Sequence, residues 1–390
     1  MFRHEWVDNL EGFYIVDCAI RSDDIAYLLV VQDDSDDSDD SDEEWRVISW
    51  APNILIDRNI SLLRAIFYNL KRTPKIEVQY SAVDSRCILA DGRTFSWSSG
   101  PNGGVEEQPG LMKQMRTIGD HVYLLNSFSL SKRNGHTNEW EAVPLHPAIL
   151  EDYNDETTKK RRYLLIDFDA FSTNEFYLLD WKGKVFYQEN NEWHLVDLTA
   201  MGYPELQTDG ICCGPDGWVY IFGKDENGGK IFQGKGDRWK VIWEVSFEIY
   251  HIDMVAYQDH VIITNNFLFS KIKDGVVEHI EGAPFSGKFV SVRGNLLMIA
   301  DSDEAAIFDG KEWKMIISPH FDEEGNYHRP RLSFSQDEVA LLDQVDYALS
   351  EEGQEALAET KMLIDSMDEE SLNDLRKNMY EAVKKHKNKG

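Results

Sequence analysis

The chain has 390 residues, 70 of them acidic and 40 basic, for a formal net charge of −30 at pH 7. Such an average surface repels a polyanion, which excludes the phosphate-neutralising modes on which most nucleic-acid binders depend. Hydrophobic residues make up 42% of the chain and aromatics 12%, enough apolar material for a sizeable core and too much for global disorder.

In chain order, Met1 to Asp8 carries charges where a secretory signal needs an unbroken apolar stretch. Apolar runs such as Ile25 to Val31 or Val261 to Thr264 fall far short of the roughly 20 residues of a membrane-crossing helix. The expectation is a soluble, cytoplasmic protein. Four cysteines, Cys18, Cys87, Cys212 and Cys213, are too few and too irregular for a disulfide framework and read as reduced core thiols. Cys212 and Cys213 have no second pair at zinc-ligand spacing.

Gly12 to Ile20, Ile25 to Val31 and Glu44 to Ile48 form a first β-rich unit, and Lys75 to Tyr80, Arg86 to Leu89 and Arg93 to Trp97 a second. Between them Ile60 to Phe67 has helix-like spacing, compatible with a connecting helix or with a further strand. From Asp120 onward one pattern recurs: a strand-length apolar run, a turn, then a polar residue, Trp and alternating apolar residues. Asp120 to Leu125 precedes Trp140; Glu175 to Leu179 leads through Lys184 to Tyr187 to Trp193; Trp218 to Phe222 leads through Lys230 to Phe232 to Trp239. Two weaker copies end at Val277 and Trp313. Copies lie roughly 36 to 54 residues apart, bracketing the length of a four-stranded propeller blade at about 40 to 50 residues. Each has too little apolar surface to fold alone, and a ring protects the edges that an open stack would expose. Gly183 and Gly217 stand where tight hairpins need positive φ. The expected fold is all-β: a propeller of about seven four-stranded blades, six and eight being the neighbouring counts, over residues 1–318.

Val219-Tyr220-Ile221-Phe222-Gly223, followed by Lys230-Ile231-Phe232 and Trp239, resembles kelch repeats, and Gly214 to Tyr220 is similar to the Pro-Asp-Gly hairpins of other propeller families. The likeness is to a degenerate propeller superfamily, because Gly223 is followed by Lys224 where kelch has a second glycine. It implies partner recognition more often than oxidation chemistry, and fold alone does not fix function.

After a polar linker at 319–330 the pattern becomes helical over 331–390. Ser335 and Glu338 fit a capping box ahead of an apolar stripe at Val339, Leu342, Val345 and Leu349, and Leu372, Leu375, Met379 and Val383 form another.

Residues 33–44 put nine carboxylates in one run between two expected strands, a density that extends and solvates the chain. Asp36, Asp37, Asp39, Asp40, Asp42 and Glu43 are candidate contacts for a basic protein partner. An EF-hand reading fails: counted from Asp34, the glycine position holds Asp39 and the last ligand position Trp45. Without this run the net charge is still −21, so the acidity is distributed. Hydrolase elbows, Walker loops and His-Glu-x-x-His are absent from the sequence. His251 with Asp253 and His320 with Asp322 are isolated His-x-Asp pairs, and Asp167, Asp169, Asp180, Asp253 and Asp301 fall near expected strand ends, within reach of a central channel. No catalytic residue, metal or cofactor is assigned. The expected function is non-catalytic binding of a basic protein, for instance by a cytoplasmic immunity protein that neutralises a toxin. The alternatives are a metal-dependent propeller hydrolase or lyase and an adaptor that works through its C-terminal helices.

Overall fold

The computed structural model describes residues 3–32, 45–51, 63–68, 75–79, 86–90, 94–97, 105–106, 112–134, 139–149, 163–246, 252–265 and 268–328; for 63–68, 79, 86–90, 94–97, 105–106 and 112 it describes the backbone alone. The chain divides into one unit over Met1–Pro330 and a second over Arg331–Gly390, and the second, with its expected helices, lies outside the described residues.

A short helix, α1 (Arg3–Leu10), precedes seven four-stranded antiparallel sheets, each of four consecutive strands. The first has β1 (Phe13–Ser22), β2 (Ile25–Gln32), β3 (Trp45–Trp50) and β4 (Leu63–Tyr68); the second has β5 (Lys75–Gln79), β6 (Arg86–Ala90), β7 (Thr94–Trp97) and β8 (Val105–Glu106). The third holds β9 (Met112–Ile118), β10 (His121–Asn126), β11 (Leu130–Arg133) and β12 (Trp140–Val143). In the fourth are β13 (Leu165–Ser172), β14 (Glu175–Asp180), β15 (Lys184–Glu189) and β16 (Glu192–Asp197). The fifth is built from β17 (Gln207–Cys213), β18 (Val219–Asp225), β19 (Gly228–Lys235) and β20 (Arg238–Val245). The sixth runs through β21 (Asp253–Tyr257), β22 (His260–Thr264), β23 (Phe269–Lys273) and β24 (Val276–His279), and the seventh through β25 (Phe289–Arg293), β26 (Leu296–Ala300), β27 (Ala305–Phe308) and β28 (Trp313–Ile317).

The first strand of each sheet touches the first strand of the next, and β25 returns to β1. The result is a closed ring of blades with these seven strands innermost, a β-propeller. The segment Ile60 to Phe67, whose spacing fits a helix or a strand, contributes β4: Leu63–Tyr68 pairs with β3 in continuous register.

The second strand of a blade is sandwiched between two neighbours, which is why its sequence is apolar on both faces. In β14, Phe176 and Leu178 pack toward Tyr123 and Leu125 of blade 3, while Tyr177 and Leu179 pack toward Ile211 and Ile221 of blade 5. In β2, Leu28 and Val30 meet Met298 and Ala300 of blade 7, and Tyr27, Leu29 and Val31 meet Ile76 and Val78 of blade 2. Each such side chain, fully buried, contributes roughly 1.5–3 kcal/mol, so the core is a set of inter-blade seams. The recurrent Trp occupies the fourth strand and leans on the preceding blade, Trp193 on blade 3, Trp239 on blade 4 and Trp313 on blade 6.

Closure of the ring exchanges no strand between blades 7 and 1. Their packed faces are supplemented by a clasp in which α1 grips the segment after β28 and the turn between β26 and β27. The Arg3 guanidinium donates to the Pro319 carbonyl, Arg3 N donates to the Asp322 carbonyl at 3.1 Å, and the Trp6 indole N–H donates to the Asp303 carbonyl at 3.4 Å.

Candidate functional site

The seven first strands stand innermost around the ring axis. A cavity of about 550 Å³ lies there, walled by β1, β5, β9, β13, β21 and β25, and its lining includes eight charged side chains: Asp17, Lys75, Glu77, Arg116, Asp169 and Asp253, with Lys288 just before β25 and Arg293 at its end.

The carboxylates share one arrangement. Asp253 accepts from the next residue of its own strand, Met254 N, at 2.9 Å, and from Val290 N of the next blade at 3.0 Å. Asp17 does the same with Cys18 N and Ile76 N, both at 3.0 Å, and Asp169 with Ala170 N at 2.8 Å and Cys213 N at 2.7 Å. Asp167 accepts from Phe168 N at 2.8 Å and Ile211 N at 2.9 Å. These acids staple inner strands that have no ladder hydrogen bonds to each other. Charge-assisted bonds of this kind are the stronger class and satisfy amides that would otherwise be orphaned.

Arg116, on β9, is the hub. Its guanidinium grips Asp167 with Nε at 3.3 Å from Oδ1 and Nη2 at 3.0 Å from Oδ2, and also lies 3.5 Å from the carbonyls of Ile211 and Met254. It thereby links blades 3, 4, 5 and 6. Burial works to lower its pKa, yet Asp167, Asp169 and Asp253 hold it above the ordinary arginine value. Four of the acids shift upward. Burial raises Glu77 to about 7 and Asp253 to about 6, each against the pull of Arg116, and raises Asp17 and Asp169 as well.

A second charged feature lies on the rim formed by the ends of the second strands and the starts of the first and third. Asn9 accepts through its carbonyl from Arg46 at 3.2 Å, and Arg46 caps the Phe13 ring at 3.6 Å, so α1 sits beside the start of β3. Gln32, the last residue of β2, and Trp45, the first of β3, lie at this same rim. Around α1 stand Asp8 and Glu11, exposed; Asp303, exposed; and Glu323 and Glu324, exposed. Partial desolvation of its carboxyl and the repulsion of Asp301 raise the pKa of Asp303 although the residue remains open to solvent, and burial with the repulsion of Asp303 raises that of Glu304.

Of the residues singled out in the sequence, Asp167, Asp169 and Asp253 meet around the axis. Asp180 does not: it is fully buried at the end of β14, where it accepts from Leu164 N at 2.6 Å and Lys182 N at 2.8 Å. Asp301 sits 3.6 Å from Lys288. Asp36, Asp37, Asp39, Asp40, Asp42, Glu43 and His251 lie outside the described residues. Asp322 pairs with His328 at 2.6 Å and not with His320. Cys18, Cys212 and Cys213 are buried free thiols whose pKa burial pushes well up, the inert kind. Among the described residues no group of three or more His, Cys, Asp or Glu is placed to hold a metal. Arg116 escaped the sequence reading, because an arginine in a strand looks like any surface residue. The staples do leave a signal: an acid between apolar neighbours, as in Val16-Asp17-Cys18, Ile76-Glu77-Val78, Ile166-Asp167-Phe168 and Ile252-Asp253-Met254.

No family model matches the chain and no curated protein does, so the kelch resemblance stays at the level of the propeller. Solved structures are similar in fold. PorZ, a surface component of the type-IX secretion system of Porphyromonas gingivalis, has a TM-score of 0.44 at 10% identity over 78% of this chain; the chain spans 45% of that structure's length. The Pan2 WD40 domain of Neurospora crassa has a TM-score of 0.43 at 9% identity, covering 66% of this chain and 79% of that one. YCF48 from Cyanidioschyzon merolae has a TM-score of 0.40 at 11% identity, covering 61% and 83%. At these values the likenesses carry nothing about activity or partner.

Proposed function

We propose that the protein is an interaction propeller, without catalysis of its own, that takes a basic protein partner on the rim where blades 7 and 1 meet. The observation that carries this reading is the convergence of acids there: Asp8, Glu11, Asp303, Glu323 and Glu324 are exposed around the clasp, beside the strand ends that residues 33–44 join. Complementary charge of this kind accelerates encounter and fixes orientation. The axial acids support the non-catalytic half of the reading, since Asp17, Asp167, Asp169 and Asp253 each commit both oxygens to backbone amides. The finer form of the proposal is a cytoplasmic immunity protein that captures a basic toxin, a task in which a fast on-rate matters most.

Association with the partner recovered from the native host tests it. The on-rate is expected to fall at least tenfold between low and high salt, because rim charges are screened beyond roughly 8 Å at physiological ionic strength. Replacing residues 33–44 by a neutral Gly-Ser segment together with Asp303→Asn, Glu323→Gln and Glu324→Gln is expected to slow association as much. A salt-independent on-rate, or one unchanged in that variant, contradicts the proposal.

A further inference from the structure

The joint between blades 7 and 1 runs through the rim assigned above to the partner. On one side stand Asp8 in α1 and Glu11 just after it; on the other stand Asp303, in the turn between β26 and β27, and Glu323 and Glu324, after β28. The two sides are close. His4 Nδ1 lies 3.2 Å from Glu323, and the Trp6 indole N–H donates to the Asp303 carbonyl at 3.4 Å. Asp8 follows His4 by one helical turn, about 6 Å along the axis. Glu323 and Glu324 are carried on a hydrogen-bonded turn: the Asp322 carboxylate accepts from Glu324 N at 3.0 Å and Asn326 N at 2.8 Å, and Phe321 bridges to Tyr327. Besides packed faces, single bonds cross the joint, from Arg3 N to the Asp322 carbonyl at 3.1 Å, from Ile15 N to the Ser302 carbonyl at 2.7 Å and from Ile20 N to the Ser291 hydroxyl at 3.1 Å. The chain itself shows what chemistry spans this gap. Arg3, a basic residue from one side, is held by the Pro319 carbonyl of the other.

Resting on the reading of this rim as the partner's seat, we propose that partner capture and ring closure are one coupled equilibrium. A basic segment that spans Asp8 and Glu11 on one side and Asp303, Glu323 and Glu324 on the other ties blade 1 to blade 7, and an opened joint releases it. In the closed ring one segment reaches all five acids; in the open ring it keeps those of one side only. That difference in contacts is what coupling requires, and it acts in both directions: a partner holds the ring shut, and a weakened clasp weakens capture. Like charges across the joint oppose closure while the seat is empty, and a cation between them reverses the sign. A ligand bound by the closed state alone lowers the open population about 100-fold when it stands at about 100 times its Kd. A ligand confined to one side leaves local opening of the joint unchanged.

Amide exchange of the full chain, followed by NMR at low ionic strength with and without deca-lysine as the polycation, reads this out. The amides of Arg3, Ile15 and Ile20, whose bonds cross the joint, are expected to exchange at least tenfold more slowly with the peptide at about 100 times its Kd. Those of Ile211 and Cys213, which cross the joint between blades 4 and 5, keep their rates. Asp303→Asn with Glu323→Gln and Glu324→Gln abolishes the slowing, even with peptide raised to the same multiple of its new Kd. These three acids are exposed, and the comparison in the unaltered chain stands without the variant. Deca-lysine that binds and leaves Arg3, Ile15 and Ile20 at their original rates overturns the coupling, while the rim reading is judged separately by the salt dependence of its partner's on-rate. Equal slowing at both joints, slowing retained in the variant, or no binding of the peptide overturns it as well.

Discussion

Arg116 and Asp167 form a tightly constrained pair. The guanidinium reaches carbonyls from two further blades, so loss of Asp167 leaves a largely buried charge with no hydrogen-bonded anion and only the more distant Asp169 and Asp253 to offset it. Removing one partner of such a pair costs about 3 kcal/mol or more, because the other charge stays desolvated. Asp167→Asn is expected to lower stability by that amount in urea unfolding; a loss under about 1 kcal/mol would show that Arg116 finds another anion, with Asp169 and Asp253 the nearest. Neither residue announced itself equally in the sequence. Asp167 stood out as an acid near a strand end, but its staple geometry emerges only when β13 and β17 lie side by side, 44 residues apart in the chain.

Blade elements were more legible than the site. Period-two runs and glycine turns placed the second, third and fourth strands of blades 4 and 5, and the recurrent Trp marked the fourth. Gly183 and Gly217 do have positive φ, 73° and 82°. The inner strands were harder, since their stapling acids interrupt the apolar pattern that marks a buried strand. In β4, Leu63, Ile66 and Phe67 lie at spacings of three and four, and pairing with β3 overrides the helical hint. Gly234 gives this scale a test. A Cβ there would stand 2.2 Å from the Trp239 ring and 2.6 Å from the Arg238 carbonyl, so the hairpin of β19 and β20 closes only over a glycine. Gly234→Ala is expected to cost about 2 kcal/mol or more, against about 1 kcal/mol for Gly217→Ala, where φ is positive but space is open. Equal effects in chemical denaturation would contradict the steric account.

At the scale of the whole molecule, the ring has one weak place. Six joints follow directly along the chain, whereas the seventh depends on packed faces, on the bonds from Ile15 N to the Ser302 carbonyl at 2.7 Å and from Ile20 N to the Ser291 hydroxyl at 3.1 Å, and on α1. Deleting residues 1–10 removes the buried Leu10, the partly buried Trp6 that packs with it and the Arg3 bonds, which together contribute about 3 kcal/mol. Amide hydrogen exchange is then expected to accelerate first in β1, β25 and β26, before any other blade. Uniform acceleration, or none, would mean that the blade faces hold the seam unaided.

The self-contained blades also set an order of assembly on the ribosome. Each sheet uses only consecutive strands, so it completes its own hydrogen bonding as soon as its fourth strand emerges. Arg3 must wait for a partner 316 residues later. Until Pro319 is synthesised the nascent protein is an open arc with the apolar flanks of its first and last blades uncovered, and that interval is when it most needs protection from its neighbours.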